Sequence, residues 1–65
     1  MKVIYDAVTD TLQILFSGAA VAESDEERAG VVMDYDADGN MVGLEVLNAS
    51  KRVENPKALE YAVTG

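Results

Sequence analysis

The feature that most constrains this chain is a spacing of two between apolar residues, which recurs in three short segments. Side chains two positions apart lie on the same face of a β-strand, whereas a helix needs spacings of three and four. The alternating residues are Leu12, Ile14 and Phe16, then Val31, Met33 and Tyr35, then Val42, Leu44 and Val46. The pattern predicts antiparallel strands that each have one apolar face.

The first hairpin is predicted from the segment Val3–Tyr5, which is β-branched and aromatic. If Tyr5 pairs with Leu12 and Val3 with Ile14, the apolar side chains of both strands lie on one face. The polar stretch 6–10 between them begins and ends with Asp, which is typical of a turn.

A second hairpin is predicted around Asp36, Asp38 and Gly39, because these residue types favour tight turns. We expect a four-residue loop over residues 36–39, with Gly39 in the left-handed region.

The hydrophobic pattern also indicates the register of this second hairpin. The expected pairs are Tyr35 with Asn40, Met33 with Val42, and Val31 with Leu44. This register keeps one face apolar. A three-residue loop that pairs Asp36 with Asn40 would set Asp34 opposite Val42 unless a bulge compensates.

Residues 19–30 leave two structures open. Val21–Ser24 fits a short edge strand whose charges discourage aggregation. Ser24 and Glu27 also fit a capping box that would begin a helix. Since no apolar stripe at helical spacing follows before Gly30, a strand or irregular edge is favoured.

The alternation stops after residue 47, and turn-forming residues follow. Asn48 predicts a capped turn or the start of a short helix, and Asn55, which precedes a proline, predicts a helix cap. Leu59 and Val63, four positions apart, would form the narrow apolar stripe of that helix.

These elements together predict one small domain, 1–65, of the α+β class. We expect an antiparallel hairpin meander of about four strands over residues 2–47. A capped turn and a short C-terminal helix follow over residues 48–64.

Composition excludes several kinds of chemistry. The chain has no cysteine and no histidine, so it cannot form a disulfide, a zinc site of the usual kind or a Ser-His-Asp triad. Its net charge is −7, concentrated in residues 23–45, and such a surface repels nucleic-acid phosphates and anionic membranes. We expect a cytoplasmic protein without a cofactor that binds neither nucleic acid nor membranes directly.

The stretch 34–45 matches a calcium-loop pattern, with Gly39 at the bend. The residues at its carboxylate positions are Asp34, Asp36, Asp38 and Glu45. A calcium hand, however, needs a helix on each side, and Gly43 is a poor start for the outgoing one. The hairpin is therefore favoured, and we expect no metal site at these four carboxylates.

Several segments, taken in order, resemble one protein family. They are Val3-Ile-Tyr-Asp6, Asp10-Thr-Leu-Gln-Ile14, the stretch from Val31 to Leu47, and the turn Asn48-Ala-Ser-Lys-Arg52. Over about residues 3–52 the chain is similar to short bacterial proteins known only as a domain of unknown function. Thr11, Gln13 and Asn48 depart from the family's pattern. The resemblance implies a small, β-rich cytoplasmic protein with no catalytic residue to carry over, and toxin-like partners encoded beside some relatives.

The acidic residues lie in polar contexts that do not predict shifted pKa values, so the chain is not expected to be an enzyme. The leading hypothesis is a protein-interaction module that acts through its acidic region. The alternative is an antitoxin-like regulator that neutralises a basic, RNA-acting partner; a calcium-binding protein or an enzyme ranks lower. A two-fold homodimer is also predicted, because Ile4, Leu15 and Tyr61 find no place in the predicted core.

Overall fold

The computed structural model describes all of residues 1–65 and contains one antiparallel sheet of five strands. The elements are β1 (Lys2–Asp6), β2 (Thr11–Leu15), β3 (Glu23–Arg28), β4 (Val31–Tyr35) and β5 (Met41–Leu47), followed by a 3₁₀ turn (Ala49–Lys51). The order across the sheet is β1-β2-β5-β4-β3. Strand β5 is therefore central, and β1 and β3 are the edges.

The connection over residues 16–22 crosses from β2 to the far edge, because β5 lies between β2 and β4. The Phe16 N–H donates to the Val42 carbonyl at 2.9 Å, and the Ala22 N–H donates to the Tyr35 carbonyl at 2.7 Å. The predicted meander of about four strands is thus wrong in number and in order. The additional strand is β3, in the stretch where the sequence favours an edge over a helix.

The α+β prediction is wrong, because no α-helix forms. Asn55 has a left-handed backbone (φ 44°) and its carbonyl accepts the Ala58 N–H at 3.0 Å, which closes one turn that no helix continues. A helix over residues 56–64 would be shorter than the roughly 12–15 residues at which isolated helices become marginal. Leu59 and Val63 are largely exposed, so no packing compensates. The chain also forms no helix with the length and apolar character that crossing a membrane requires.

The turn after β5 begins without a side-chain cap at Asn48. Asn48 has φ 54° and makes no capping hydrogen bond with its side chain. The next residue, Ala49, is fully buried, and its N–H donates to the Asp10 carbonyl at 2.9 Å. The turn is therefore fixed to the β1–β2 turn.

The first hairpin has the predicted register: Tyr5 pairs with Leu12, and Val3 with Ile14. In the β4–β5 hairpin the predicted register is wrong. The observed pairs are Tyr35 with Met41, Asp34 with Gly43, Met33 with Leu44, and Val31 with Val46.

A β-bulge explains this difference. The Asp36 N–H donates to the Asn40 carbonyl at 2.9 Å, so the loop has three residues and not four. Val42 is then left without a partner on β4, between the residues that pair with Asp34 and Tyr35. The extra residue restores the parity that a three-residue loop would otherwise reverse.

The register divides the sheet into two faces. On β1, β2, β4 and β5 the apolar face carries ten apolar or aromatic residues: Val3, Tyr5, Leu12, Ile14, Val31, Met33, Tyr35, Met41, Leu44 and Val46. On the edge strand β3 the same face carries Glu23, Asp25 and Arg28. The other face, called here the polar face, carries thirteen: Lys2, Ile4, Asp6, Thr11, Gln13, Leu15, Ser24, Glu26, Val32, Asp34, Gly43, Glu45 and Leu47. Only four residues in the chain are buried: Asp34, Val42, Gly43 and Ala49.

Candidate interaction surface

The acidic edge of the sheet is strand β3, which pairs with β4 on one side only. All six of its residues are exposed, and its acidic members are Glu23, Asp25, Glu26 and Glu27. Charged side chains on an edge strand oppose pairing with a strand of another chain, which explains how so polar a segment fits at this position. At about 3.3 Å per residue, these carboxylates extend along roughly 13 Å of the edge.

Two of these carboxylates are held by hydrogen bonds from neighbouring turns and strands. Glu26 accepts the Gly30 N–H at 2.9 Å, and Glu27 accepts the Tyr35 hydroxyl at 2.9 Å. The hydrogen bond to Glu27 raises the pKa of Tyr35, so this phenol stays protonated and serves as a donor. Glu26 and Glu27 are therefore fixed in position by hydrogen bonds, and all four carboxylates of the acidic edge belong to exposed residues.

A second group of carboxyls lies on the polar face. Asp34 is only 4% exposed and accepts the Ser24 hydroxyl at 2.6 Å. Glu45 lies beside it on the neighbouring strand. Desolvation raises the pKa of Glu45, and the hydrogen bond and negative charge of Asp34 raise it further. A proton held by Glu45 relieves the repulsion between the two carboxyls.

The four residues of the calcium-like pattern do not form one cluster. Asp34 and Glu45 belong to the carboxyl pair on the polar face, whereas Asp36 and Asp38 lie in the β4–β5 loop. Asp36 Oδ1 accepts the N–H groups of Asp38 and Asn40, both at 2.9 Å. These hydrogen bonds lower the pKa of Asp36, that from Asn40 contributing most. No group of three or more carboxylates in the chain is arranged to hold a metal ion.

The turn glycine Gly39 has the left-handed backbone (φ 83°) that its position in the loop requires. Its N–H donates to the Asp36 carbonyl at 3.1 Å. Asp36 and Gly39 thus shape the loop, and Asp38 presents an exposed carboxylate there.

Asp10 is a structural centre that sequence reasoning missed. It has a left-handed backbone (φ 53°), and its carboxylate accepts the Tyr5 hydroxyl at 2.7 Å and two hydrogen bonds from Ser50. These hydrogen bonds lower the pKa of Asp10, and the bond from the Ser50 hydroxyl has the largest effect. The hydrogen bond to Asp10 raises the pKa of Tyr5. Asp10 and Ser50 both lie in segments that carry the family resemblance. This is the one feature of the sequence that could have indicated a shared role.

Arg52 has a comparable role at the other end of the turn. Its guanidinium donates to the Ala29 carbonyl and lies directly over Gly30. This contact connects the turn after β5 to a backbone carbonyl of the β3–β4 turn.

The C-terminal segment crosses one part of the apolar face. A groove of about 170 Å³ lies between Val3, Leu12 and Ile14 on the sheet and residues 53–59 of this segment. Small-molecule sites are typically about 300–1,000 Å³. The groove is too small for such a site and marks incomplete packing of the segment on the sheet.

Comparison with known proteins gives one match. The family described as "Protein of unknown function (DUF2283)" matches residues 2–50. The matched range includes all five strands and ends within the 3₁₀ turn. No curated protein and no solved structure matches the chain significantly.

Proposed function

Since the chain belongs to the DUF2283 family of proteins of unknown function, we propose that it is a non-enzymatic, cytoplasmic protein-interaction module. Its acidic edge binds a basic surface of another protein. The observation that carries this proposal is the concentration of four exposed carboxylates on one strand, Glu23–Arg28. No catalytic step is needed for this role, because the sheet supplies a rigid support for a charged surface.

Electrostatics explains what such an edge contributes to binding. An ordered array of like charges attracts an oppositely charged partner over several ångströms and speeds its encounter. Exposed ion pairs add little affinity each, about 0–1 kcal/mol, so the effect falls mainly on the association rate and on partner choice. The interaction should therefore weaken as salt screens the charges.

Affinity purification from native cells, followed by mass spectrometry, tests the proposal. The wild type is compared with a double variant, Glu23→Gln and Asp25→Asn, which removes two charges from the acidic edge. The matched control, Glu54→Gln and Glu60→Gln, removes two charges from exposed residues away from β3. We expect the β3 variant to lose a basic protein that the wild type and control retain; equal retention by all three chains would contradict the proposal.

A second candidate function is favoured by the same edge. Carboxylates along an extended strand resemble the regular negative charge of a nucleic-acid backbone, so they could cover the phosphate-binding surface of a basic, RNA-acting protein. The chain would then be an antitoxin-like regulator. Co-expression distinguishes the two roles: only an antitoxin restores growth to cells that produce the captured partner, and the β3 variant should not restore it.

A further inference from the structure

The apolar face of the sheet lacks a covering layer over much of its area. None of the ten apolar or aromatic residues on this face is buried. The C-terminal segment reaches only the part formed by β1 and β2, near Val3, Leu12 and Ile14. The structure measures 34 × 33 × 19 Å, and its shortest dimension contains a single sheet. A second sheet would stack on it at a spacing of about 10 Å.

The total accessible surface shows how much packing is missing. A folded monomer of this mass exposes about 4,000 Å² on the usual scaling, whereas this chain exposes 4888 Å². The excess is roughly 850 Å², close to the roughly 800 Å² that each partner buries in a standard protein interface. One interface of ordinary size would therefore bring the chain to the burial expected for its length.

The distribution of charge limits what can occupy this face. The chain carries a net charge of −7, yet the ten residues that β1, β2, β4 and β5 contribute to the apolar face are all uncharged. The charged residues of this face are Glu23, Asp25 and Arg28, and they lie on the edge strand β3. Two copies that met through the uncharged part of this face, on β1, β2, β4 and β5, would leave the charges of β3 at the rim of the interface, in contact with solvent. A two-fold axis would also place the two β3 edges on outer rims of the pair.

The C-terminal segment supplies further apolar surface beside the same face. Leu59, Tyr61 and Val63 alternate as in a strand and are 72%, 73% and 80% exposed. Residues 59–65 make no hydrogen bond, and Leu59 and Tyr61 lie next to Met1 and Val3 at the β1 edge. Side chains placed there can extend over a sheet packed on the apolar face.

We propose that a second copy of this chain packs against the apolar face and forms a two-fold β-sandwich. The C-terminal segment of each copy contributes Leu59, Tyr61 and Val63 to the shared interface. This proposal stands on the apolar face and on the exposed area, and it is independent of any partner at the acidic edge.

Two variants on β5 test which face forms the interface. Met41 and Leu47 lie on the same strand, are both apolar, and are 44% and 37% exposed, but they lie on opposite faces. Sedimentation equilibrium from 1 to 200 μM should give twice the 7.0 kDa mass for the wild type and for Leu47→Glu. Met41→Glu should raise the dissociation constant at least about ten-fold, because it places a carboxylate in the interface.

A measurement on wild-type chains keeps the test decisive if Met41→Glu does not fold. A mixture of isotope-labelled and unlabelled chains should give intermolecular NOEs between Met33 and Leu44 methyl groups. Deletion of residues 59–65 should weaken the dimer by at least about ten-fold, since it removes three apolar side chains from the interface.

Three results would overturn the proposal. The first is a wild type that stays monomeric at 200 μM, whether it is folded alone or becomes ordered only when a different protein covers this face. The second is a dimer that Leu47→Glu disrupts and Met41→Glu leaves intact. The third is an open-ended assembly through the strand edges in place of a closed dimer.

Discussion

Asp10 and Ser50 are forty positions apart and are joined by two hydrogen bonds. Ser50 donates its N–H to Asp10 Oδ1 at 2.9 Å and its hydroxyl to Oδ2 at 2.6 Å. The contact connects the β1–β2 turn to the 3₁₀ turn after β5. Because the chain has so few buried residues, such long-range polar contacts have an unusually large part in fixing its fold.

The first prediction concerns this contact. Ser50→Ala removes the hydroxyl bond to Asp10 and should lower the free energy of unfolding by roughly 1 kcal/mol. Ser17→Ala is the control, because the Ser17 hydroxyl accepts only the Ala19 N–H, two residues away, and the substitution leaves the backbone of Ser17 in place. Chemical denaturation of both variants gives the comparison; an equal loss in the two would show that the link to Asp10 does not stabilise the fold.

The second prediction concerns the close approach of Asp34 to Gly43. A Cβ at Gly43 would lie 3.0 Å from Asp34 Oδ2 and 3.3 Å from the Ile14 carbonyl. Gly43→Ala should therefore lower the free energy of unfolding by about 1–3 kcal/mol through overpacking. Gly18→Ala is the matched control, since nothing lies within 4 Å of its Cβ position. Thermal unfolding supplies the measurement, and equal losses of stability in the two variants would contradict this explanation.

The features of the fold that depend on residues close together in the sequence could be predicted, and those that depend on a bulge or on a long connection could not. The β1–β2 register follows from Tyr5 and Leu12, because strict alternation on both sides of a short turn admits one pairing that buries the apolar set. The β4–β5 register depends on a bulge at Val42, and alternation alone does not show where an extra residue is inserted. The sheet order could not be predicted, since the path of residues 16–22 carries no pattern of its own.

The prediction of a C-terminal helix was wrong for a related reason. Leu59 and Val63 fit a helical stripe, yet Leu59, Tyr61 and Val63 also alternate, and the segment is too short for periodicity to decide. The acidic edge was visible in the charges of residues 23–45. The Asp10–Ser50 contact and the Asp34–Glu45 pair could not be predicted from the sequence, because each joins residues that only the folded sheet brings together.

The third prediction is a stability maximum at mildly acidic pH. The pKa of Glu45 is raised in the folded state, so between its unfolded value of about 4.3 and its folded value the folded chain binds more protons. In that interval the free energy of unfolding falls as pH rises. The pKa values of Asp10 and Asp36 are lowered, so their contribution is present above about pH 4 and is lost as pH falls through their folded values.

Glu45→Gln separates these effects. The variant should lose the gain in stability that Glu45 gives on acidification from neutral pH, and it should keep the loss at low pH that comes from Asp10 and Asp36. Glu54→Gln, at an exposed residue, controls for the change in net charge. Thermal midpoints between pH 3 and pH 8 supply the measurement, and identical profiles for Glu45→Gln and Glu54→Gln would show that the Asp34–Glu45 pair does not control the pH dependence.

The fourth prediction is that calcium does not bind Asp34, Asp36, Asp38 and Glu45 as one ligand set. A calcium ion needs six to eight oxygens at 2.3–2.6 Å. Asp36 already accepts N–H groups from Asp38 and Asn40, while Asp34 is directed to Ser24 on the polar face. The loop would have to lose the hydrogen bonds that shape it before these oxygens could converge. In a calcium titration followed by amide NMR, shifts should stay small and unsaturated into the millimolar range and centre on Asp38, whereas saturation at micromolar calcium with a large downfield shift of the Gly39 amide would refute the prediction.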